Sequence, residues 1–318
     1  MFDAMTGAKK LPPPTDAEVT DWIARAKAAA ADSDVVVAVL GELASMSGEA
    51  ASRATLDLPG MQQQMLEAVA ATGKPVVLVL ENGRPLDIRW AADHVPAILE
   101  AWYPGTEGGD AVADVLFGDV NPGGKLPVSW PRTAGQEPLY YNHNLTHEPE
   151  DRPSFTSRYW DLTTRPLYPF GYGLSYSTFK FANLRLSKDR INAEQTTEVE
   201  VDVTNTSTVA GDSVAQIYIH QQAGSASRPV REPQRLPPDY VAARRDPDAQ
   251  VLARQRGTAV LEPANQALGC GAGYLRCLGW RRLNREPACR VNSYQIRNIA
   301  SLCDRGVSSE VSRGSNVK

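Results

Sequence analysis

Apolar residues at Val19, Ile23, Ala26 and Ala30 recur at helical spacing and form one stripe that runs to Asp32. Thr15-Asp16-Ala17-Glu18 just ahead has the form that satisfies two amide donors reciprocally at a helix start, so a helix begins there. The period then vanishes. Val35-Val36-Val37-Ala38-Val39-Leu40 is continuously apolar and β-rich, as expected of a central parallel strand covered on both faces. A loop from Gly41 to Gly60, a helix over about Met61 to Ala71, and a second buried strand at Val76-Val77-Leu78-Val79-Leu80 follow. Ala97 to Trp102 reads as a third strand and Asp110 to Phe117 as a short helix. Strands alternating with helices predict an α/β fold with a parallel sheet and right-handed crossovers, whose ligands sit at the carboxyl ends of the strands.

Past Asn121-Pro122-Gly123-Gly124 the chain becomes rich in Pro, Tyr and Gly and loses helical period. From Phe179 it alternates: Phe181, Leu184 and Leu186, then Val199, Val201 and Val203, then Val214, Gln216 and Tyr218, with turn residues between. Period-two strands of this kind predict an antiparallel β-sandwich, with too few strands to close before Glu232. The organisation expected is an α/β sandwich domain over 1–132, an irregular wrapping linker over 133–178, a partial β-sandwich over 179–232 and an aberrant, disordered tail over 233–318.

The 318 residues suffice for two domains of ordinary size, and 42% hydrophobic with 22% charged residues is a globular composition. No apolar run is long enough to span a membrane, and Met1 to Lys10 lacks the apolar stretch of a signal peptide, so for the chain as written the location expected is cytoplasmic or undetermined. A net charge of -4 argues against nucleic acid as a partner. The charge is unevenly spread: residues 1–232 carry 19 basic and 30 acidic side chains, and 233–318 carry 14 and 7. All four cysteines (Cys270, Cys277, Cys289, Cys303) lie in that last segment, at no zinc-ligand spacing, and His94, His143, His147 and His220 form no ligand cluster. No metal or other cofactor is expected.

Trp102-Tyr103-Pro104-Gly105-Thr106-Glu107-Gly108-Gly109, continuing through Val115-Leu116-Phe117-Gly118-Asp119 and Asn121-Pro122-Gly123-Gly124-Lys125-Leu126-Pro127, resembles the second domain of the glycoside hydrolase family 3 β-glucosidases. Tyr168-Pro169-Phe170-Gly171-Tyr172-Gly173-Leu174-Ser175-Tyr176 is similar to the segment leading into that family's fibronectin-III-like domain. The resemblance covers about residues 30–232 and is nearest to the bacterial periplasmic enzymes. It implies retaining hydrolysis of a terminal, non-reducing β-D-glucosyl residue by two carboxylates, the alternative being a catalytically inactive truncated fragment or sugar-binding remnant. The nucleophilic Asp belongs to an N-terminal TIM barrel, which would be a separately encoded partner of this chain, and the acid/base Glu to the domain seen here.

Retaining chemistry needs one carboxyl to attack the anomeric carbon and one to protonate the leaving oxygen and then activate water. The loop after the first strand offers Glu42 and Glu49, both at a strand's carboxyl end where a loop acid can reach a neighbouring domain. Ser47-Gly48-Glu49, with Arg53 four residues on, resembles the family's Ser-Gly-Glu-Gly-Tyr-Asp-Arg loop. Glu49 is therefore the expected general acid/base, Glu42 the alternative, and Arg53 a substrate contact; Ser52 stands where the family has Asp. Arg158, in Arg158-Tyr159-Trp160, is a second expected contact to sugar or barrel. Trp102, Trp130 and the glycines at 105, 108 and 109 have packing and helix-entry explanations of at least equal weight.

After Glu232 the resemblance stops. The family continues Leu-Lys-Gly-Phe where this chain has Pro233-Gln234-Arg235-Leu236. Codons able to encode the tail, taken one base later, permit Leu-Lys-Gly-Phe from Pro233, Tyr-Trp-Asn from Val260 and Phe-Asp-Val-Trp-Val-Gly from Leu275. A frameshift near Glu232 is expected.

Overall fold

The computed structural model describes residues 13–49, 52–144, 158–191 and 197–216, with short pieces at 218–219, 229–230, 232–233, 255–256, 259–261 and 289–290. They fall into two compact units, Met1–Asp119 with Trp130–Pro138, and Val120–Ser129 with Leu139–Lys318.

The first unit opens with α1 (Asp16–Ala31), and its start is the expected capping box: the Thr15 hydroxyl accepts from the Glu18 amide and Glu18 accepts from the Thr15 amide. Strands β1 (Val36–Gly41), β2 (Val76–Glu81) and β3 (Ala97–Glu100) form a parallel sheet in the order β1-β2-β3. Helices α2 (Gln62–Ala70), α3 (Arg89–His94) and α4 (Gly108–Phe117) follow the strands in turn, with α2 packed on α1 and against β1. The core lies over β2, where Leu78, Val79 and Leu80 are fully buried together with Leu66, Leu86, Ile88 and Ala91. Trp130 is a packing residue: its ring is buried and its indole N–H donates to the Leu86 carbonyl at 2.7 Å.

Two expectations for the sheet are corrected. β1 is not the central strand: among the described residues it pairs with β2 alone, and Val35, Val37 and Val39 stand about half exposed on one face. β2 is the strand flanked on both sides. The third strand ends at Glu100 rather than Trp102, because Trp102 takes a left-handed backbone (φ 52°) that turns the chain out of the sheet.

The second unit contains an antiparallel sheet built on β4 (Phe179–Leu186) and β6 (Thr197–Asn205). Val199 and Val203 of β6 are buried, as the alternation requires. Its other strands are short: β5 (Arg190–Ile191), β7 (Tyr218–Ile219) and β8 (Glu232–Pro233). β9 (Gln255–Arg256) and β10 (Ala259–Leu261) pair with β6, and β11 (Cys289–Arg290) pairs with β5. The strand expected from Val214 to Tyr218 is confined to Tyr218–Ile219 among the described residues. Apart from β9, β10, β11 and Pro233 of β8, the tail expected over 233–318 lies outside the described residues.

Asn121 organises the start of this unit. Its amide donates to Ser177 Oγ and the Ala210 carbonyl, both at 2.7 Å, and its carbonyl accepts from Ser175 Oγ and the Tyr176 amide. The segments 121–126 and 171–177, far apart in sequence, are thereby joined.

Candidate functional site

The carboxyl ends of the three strands converge on one set of polar residues, as a parallel sheet dictates. Gly41 ends β1 at a point where its backbone runs against β2: a Cβ there would lie 1.9 Å from the Glu81 carbonyl oxygen, and φ is +146°. Only glycine fits. From α2, the Gln62 side chain then holds the Gly41 peptide on both sides, accepting from its N–H at 2.8 Å and donating to its carbonyl at 2.9 Å.

Glu42 follows with a side chain wholly removed from solvent. Its Oε1 accepts from Arg53 Nη1 at 2.9 Å and from Arg84 Nη2 at 2.9 Å, while Oε2 is buried with no partner among the described residues. Arg53 also donates to the Asp57 carbonyl at 2.7 Å. Arg84, beyond the end of β2, donates Nη1 to the Arg53 carbonyl at 2.6 Å and to Ser52 Oγ at 3.2 Å. The loop leaving β1 therefore returns to its starting point at Ser52 and Arg53, with Glu42 as the shared anion.

Within the loop, Ala44–Met46 is a 3-10 turn, Leu43 accepts a hydrogen bond from the Tyr103 hydroxyl at 3.2 Å, and Ser47 rests on Gly83. A Cβ on Gly83 would lie 2.6 Å from Ser47 Oγ. Burial, followed by the neighbouring Glu42 charge, raises the Tyr103 pKa, which keeps the hydroxyl protonated as a donor. Glu49 lies on the same loop, in a turn, and is exposed.

Behind this loop, Glu100 at the end of β3 accepts from the Trp102 amide at 2.9 Å and from Asn82 Nδ2 at 3.4 Å. Burial raises its pKa to about 8, against the lowering effect of those two hydrogen bonds, so the carboxyl is largely protonated at neutral pH. Asn82 is fully buried and its Oδ1 has no partner among the described residues.

Of the expected site residues, the structure brings Glu42 and Arg53 together and sets Glu49 on the loop they close. Arg53 spends its guanidinium on Glu42 and Asp57. Arg158 is exposed and belongs to the second unit, as do exposed Tyr159 and Trp160. The glycines at 105 and 108 serve the entry to α4: Gly105 is left-handed and Gly108 packs on the Pro104 ring. Sequence reasoning missed Arg84, Gln62, Asn82 and Glu100. Among the described residues no three His, Cys, Asp or Glu side chains gather as metal ligands, and no helix is long and apolar enough to cross a membrane.

The site thus lies at the strand ends of a parallel α/β unit, followed in the chain by an antiparallel β unit. Residues 4–176 match the glycosyl hydrolase family 3 C-terminal domain, and the chain belongs to that family. It is 49% identical over 207 residues to the "Periplasmic beta-glucosidase" of Salmonella typhimurium, covering 64% of this chain and 27% of the relative. It is 48% identical over 206 residues to a "Beta-xylosidase" of Formosa agariphila, covering 63% and 27%. The solved β-glucosidase of Listeria innocua in complex with glucose superimposes with a TM-score of 0.67 at 39% identity, over 80% of this chain and 34% of that one. The chain thus spans about a quarter to a third of the relatives it matches.

Proposed function

We propose that this chain is the acid/base half of a retaining β-glucosidase. Glu49 donates a proton to the glycosidic oxygen as the bond breaks, and its carboxylate then takes a proton from the water that releases the sugar. The carrying observation is the contrast in burial between the two loop carboxylates. Glu42 is wholly buried between two guanidinium groups and cannot meet a substrate, whereas Glu49 is exposed on the loop so anchored. The nucleophile comes from a TIM-barrel half supplied elsewhere, which is the partner of this chain. Short β-glucosides are the substrates, in keeping with the names of the Salmonella and Listeria relatives. Arg158 contacts sugar or barrel, and no cofactor takes part. The second unit is a fibronectin-III-like sandwich, interrupted by a frameshift near Glu232 that sequencing of the DNA would expose. A periplasmic setting for the parent enzyme is in keeping with the Salmonella relative's name.

The test is to assay the chain alone and fused behind the N-terminal portion of the Salmonella relative. The fusion should hydrolyse an aryl β-glucoside and the chain alone should not, since general acid catalysis without a nucleophile leaves the glycosyl bond intact. Turnover by the chain alone that survives purification would reject the division into halves.

A further inference from the structure

We infer that Arg84 is a positioning residue that locks both ends of the 42–53 loop and so presents Glu49 on a fixed platform rather than a flexible arm. The inference rests on the proposed role of Glu49, but the geometry behind it does not. Arg84 spreads its guanidinium over three acceptors from the two ends of the loop: Glu42 Oε1 at the start, and the Arg53 carbonyl and Ser52 hydroxyl at the return. Its Nε and Nη2 both address Glu42 Oε1, at 3.2 and 2.9 Å, and its Nη1 addresses the return segment at 2.6 and 3.2 Å. A planar fork with donors on two edges can hold a carboxylate and a carbonyl at once. A lysine cannot: its ammonium is a compact point charge that would satisfy the Glu42 charge or the Arg53 carbonyl, with no fixed geometry between them.

The clamp is built on rigid structure. Arg84 sits two residues past Asn82, which is fully buried and donates Nδ2 to the Arg84 carbonyl at 2.8 Å. Next to it Gly83 supports Ser47, and Tyr103 holds the Leu43 carbonyl. The loop therefore has three fixed points before Glu49 and two after it, and Arg84 links the two sets alongside the Arg53–Glu42 ion pair. Removing Arg84 leaves Arg53 paired with Glu42 but takes the Arg84 donor from the Ser52 hydroxyl and the Arg53 carbonyl.

Hydrogen exchange of the full chain, read by mass spectrometry on wild type, Arg84→Lys, Arg84→Met and Glu49→Ala, tests this. In both Arg84 variants, amides over 43–49 and 52–57 should exchange about ten- to a hundredfold faster, the range expected for losing charge-assisted hydrogen bonds that close a local unit. Amides of β2 should keep their wild-type rates, and Glu49→Ala should leave the loop protected. Wild-type protection of the loop in Arg84→Lys would overturn the inference, because charge alone would then suffice. An equal acceleration across β2 in that variant would overturn it too, making Arg84 a residue of general stability. The measurement involves no substrate, so its failure says nothing of Glu49 as acid, which is decided by kinetics.

Discussion

Gly41 and Glu81 meet backbone to backbone, so closely that a Cβ on Gly41 would lie 1.9 Å from the Glu81 carbonyl oxygen. The contact brings β1 against β2 just where the chain leaves the sheet for the Glu42 loop, and the Glu42 amide donates to that same Glu81 carbonyl at 2.8 Å. Gly41→Ala must push the strands apart as well as strain a left-handed backbone, and should cost about 3 kcal/mol or more. Gln62→Ala, which removes only the side-chain clasp on Gly41, should cost about 1–3 kcal/mol. Urea unfolding followed by tryptophan fluorescence, with buried Trp130 as the main reporter, checks both. An Ala at 41 with wild-type stability would mean the two strands do not meet in this way.

Glu42 is the anion that two guanidiniums share, so Glu42→Ala leaves both without it in a setting where their own side chains are about four-fifths buried. Loss of one member of a buried ion pair is expected to cost about 3 kcal/mol here. The cost should persist in high salt, because ions do not screen a pair removed from solvent. A Glu42→Ala chain as stable as wild type in 1 M salt would place the carboxylate in water instead.

Much of the first unit was legible from sequence, and the reasons are local. The capping box at Thr15 and Glu18 involves neighbours three residues apart, and the apolar runs at 36–40 and 76–80 carry their own strand signal. The spacing of three between Phe181 and Leu184, where a strand should step by two, is the trace of the bulge at Ala182/Arg185, with Asn183 left-handed. What was not legible depends on partners far along the chain. The apolar run of β1 does not say which strand is central, since neighbour order is a property of the whole sheet. Arg84 lies 42 residues from Glu42 and 31 from the Arg53 carbonyl, and nothing in Asn82-Gly83-Arg84 announces either contact. In sequence Glu100 is one acid inside the strand expected from Ala97 to Trp102; only its burial, with Asn82 and the Trp102 amide as partners, makes it unusual.

Glu100 gives a pH dependence of unusual sign for a carboxylate. Its pKa rises from 4.5 unfolded to about 8 folded, so the folded chain binds the extra proton between those values. Stability from this group is therefore fully present below about pH 4.5 and falls as pH climbs through 8, a loss of a few kcal/mol by linkage. Glu100→Gln, a neutral group of the same shape, should unfold at a pH-independent offset from other groups and overtake wild type at pH 9. Parallel pH profiles for the two proteins would show that Glu100 ionises as freely folded as unfolded.

The assignment of Glu49 as general acid/base is decided by leaving-group dependence in the fused enzyme. Glu49→Ala should lose about 10²–10⁴-fold in turnover of glucosides with poor leaving groups and far less with activated aryl glucosides, for which no proton is needed. Azide should restore the activated substrates by attacking the glycosyl intermediate without a base. Near wild-type turnover in Glu49→Ala, together with this same pattern and azide rescue in Glu42→Ala, would contradict the account.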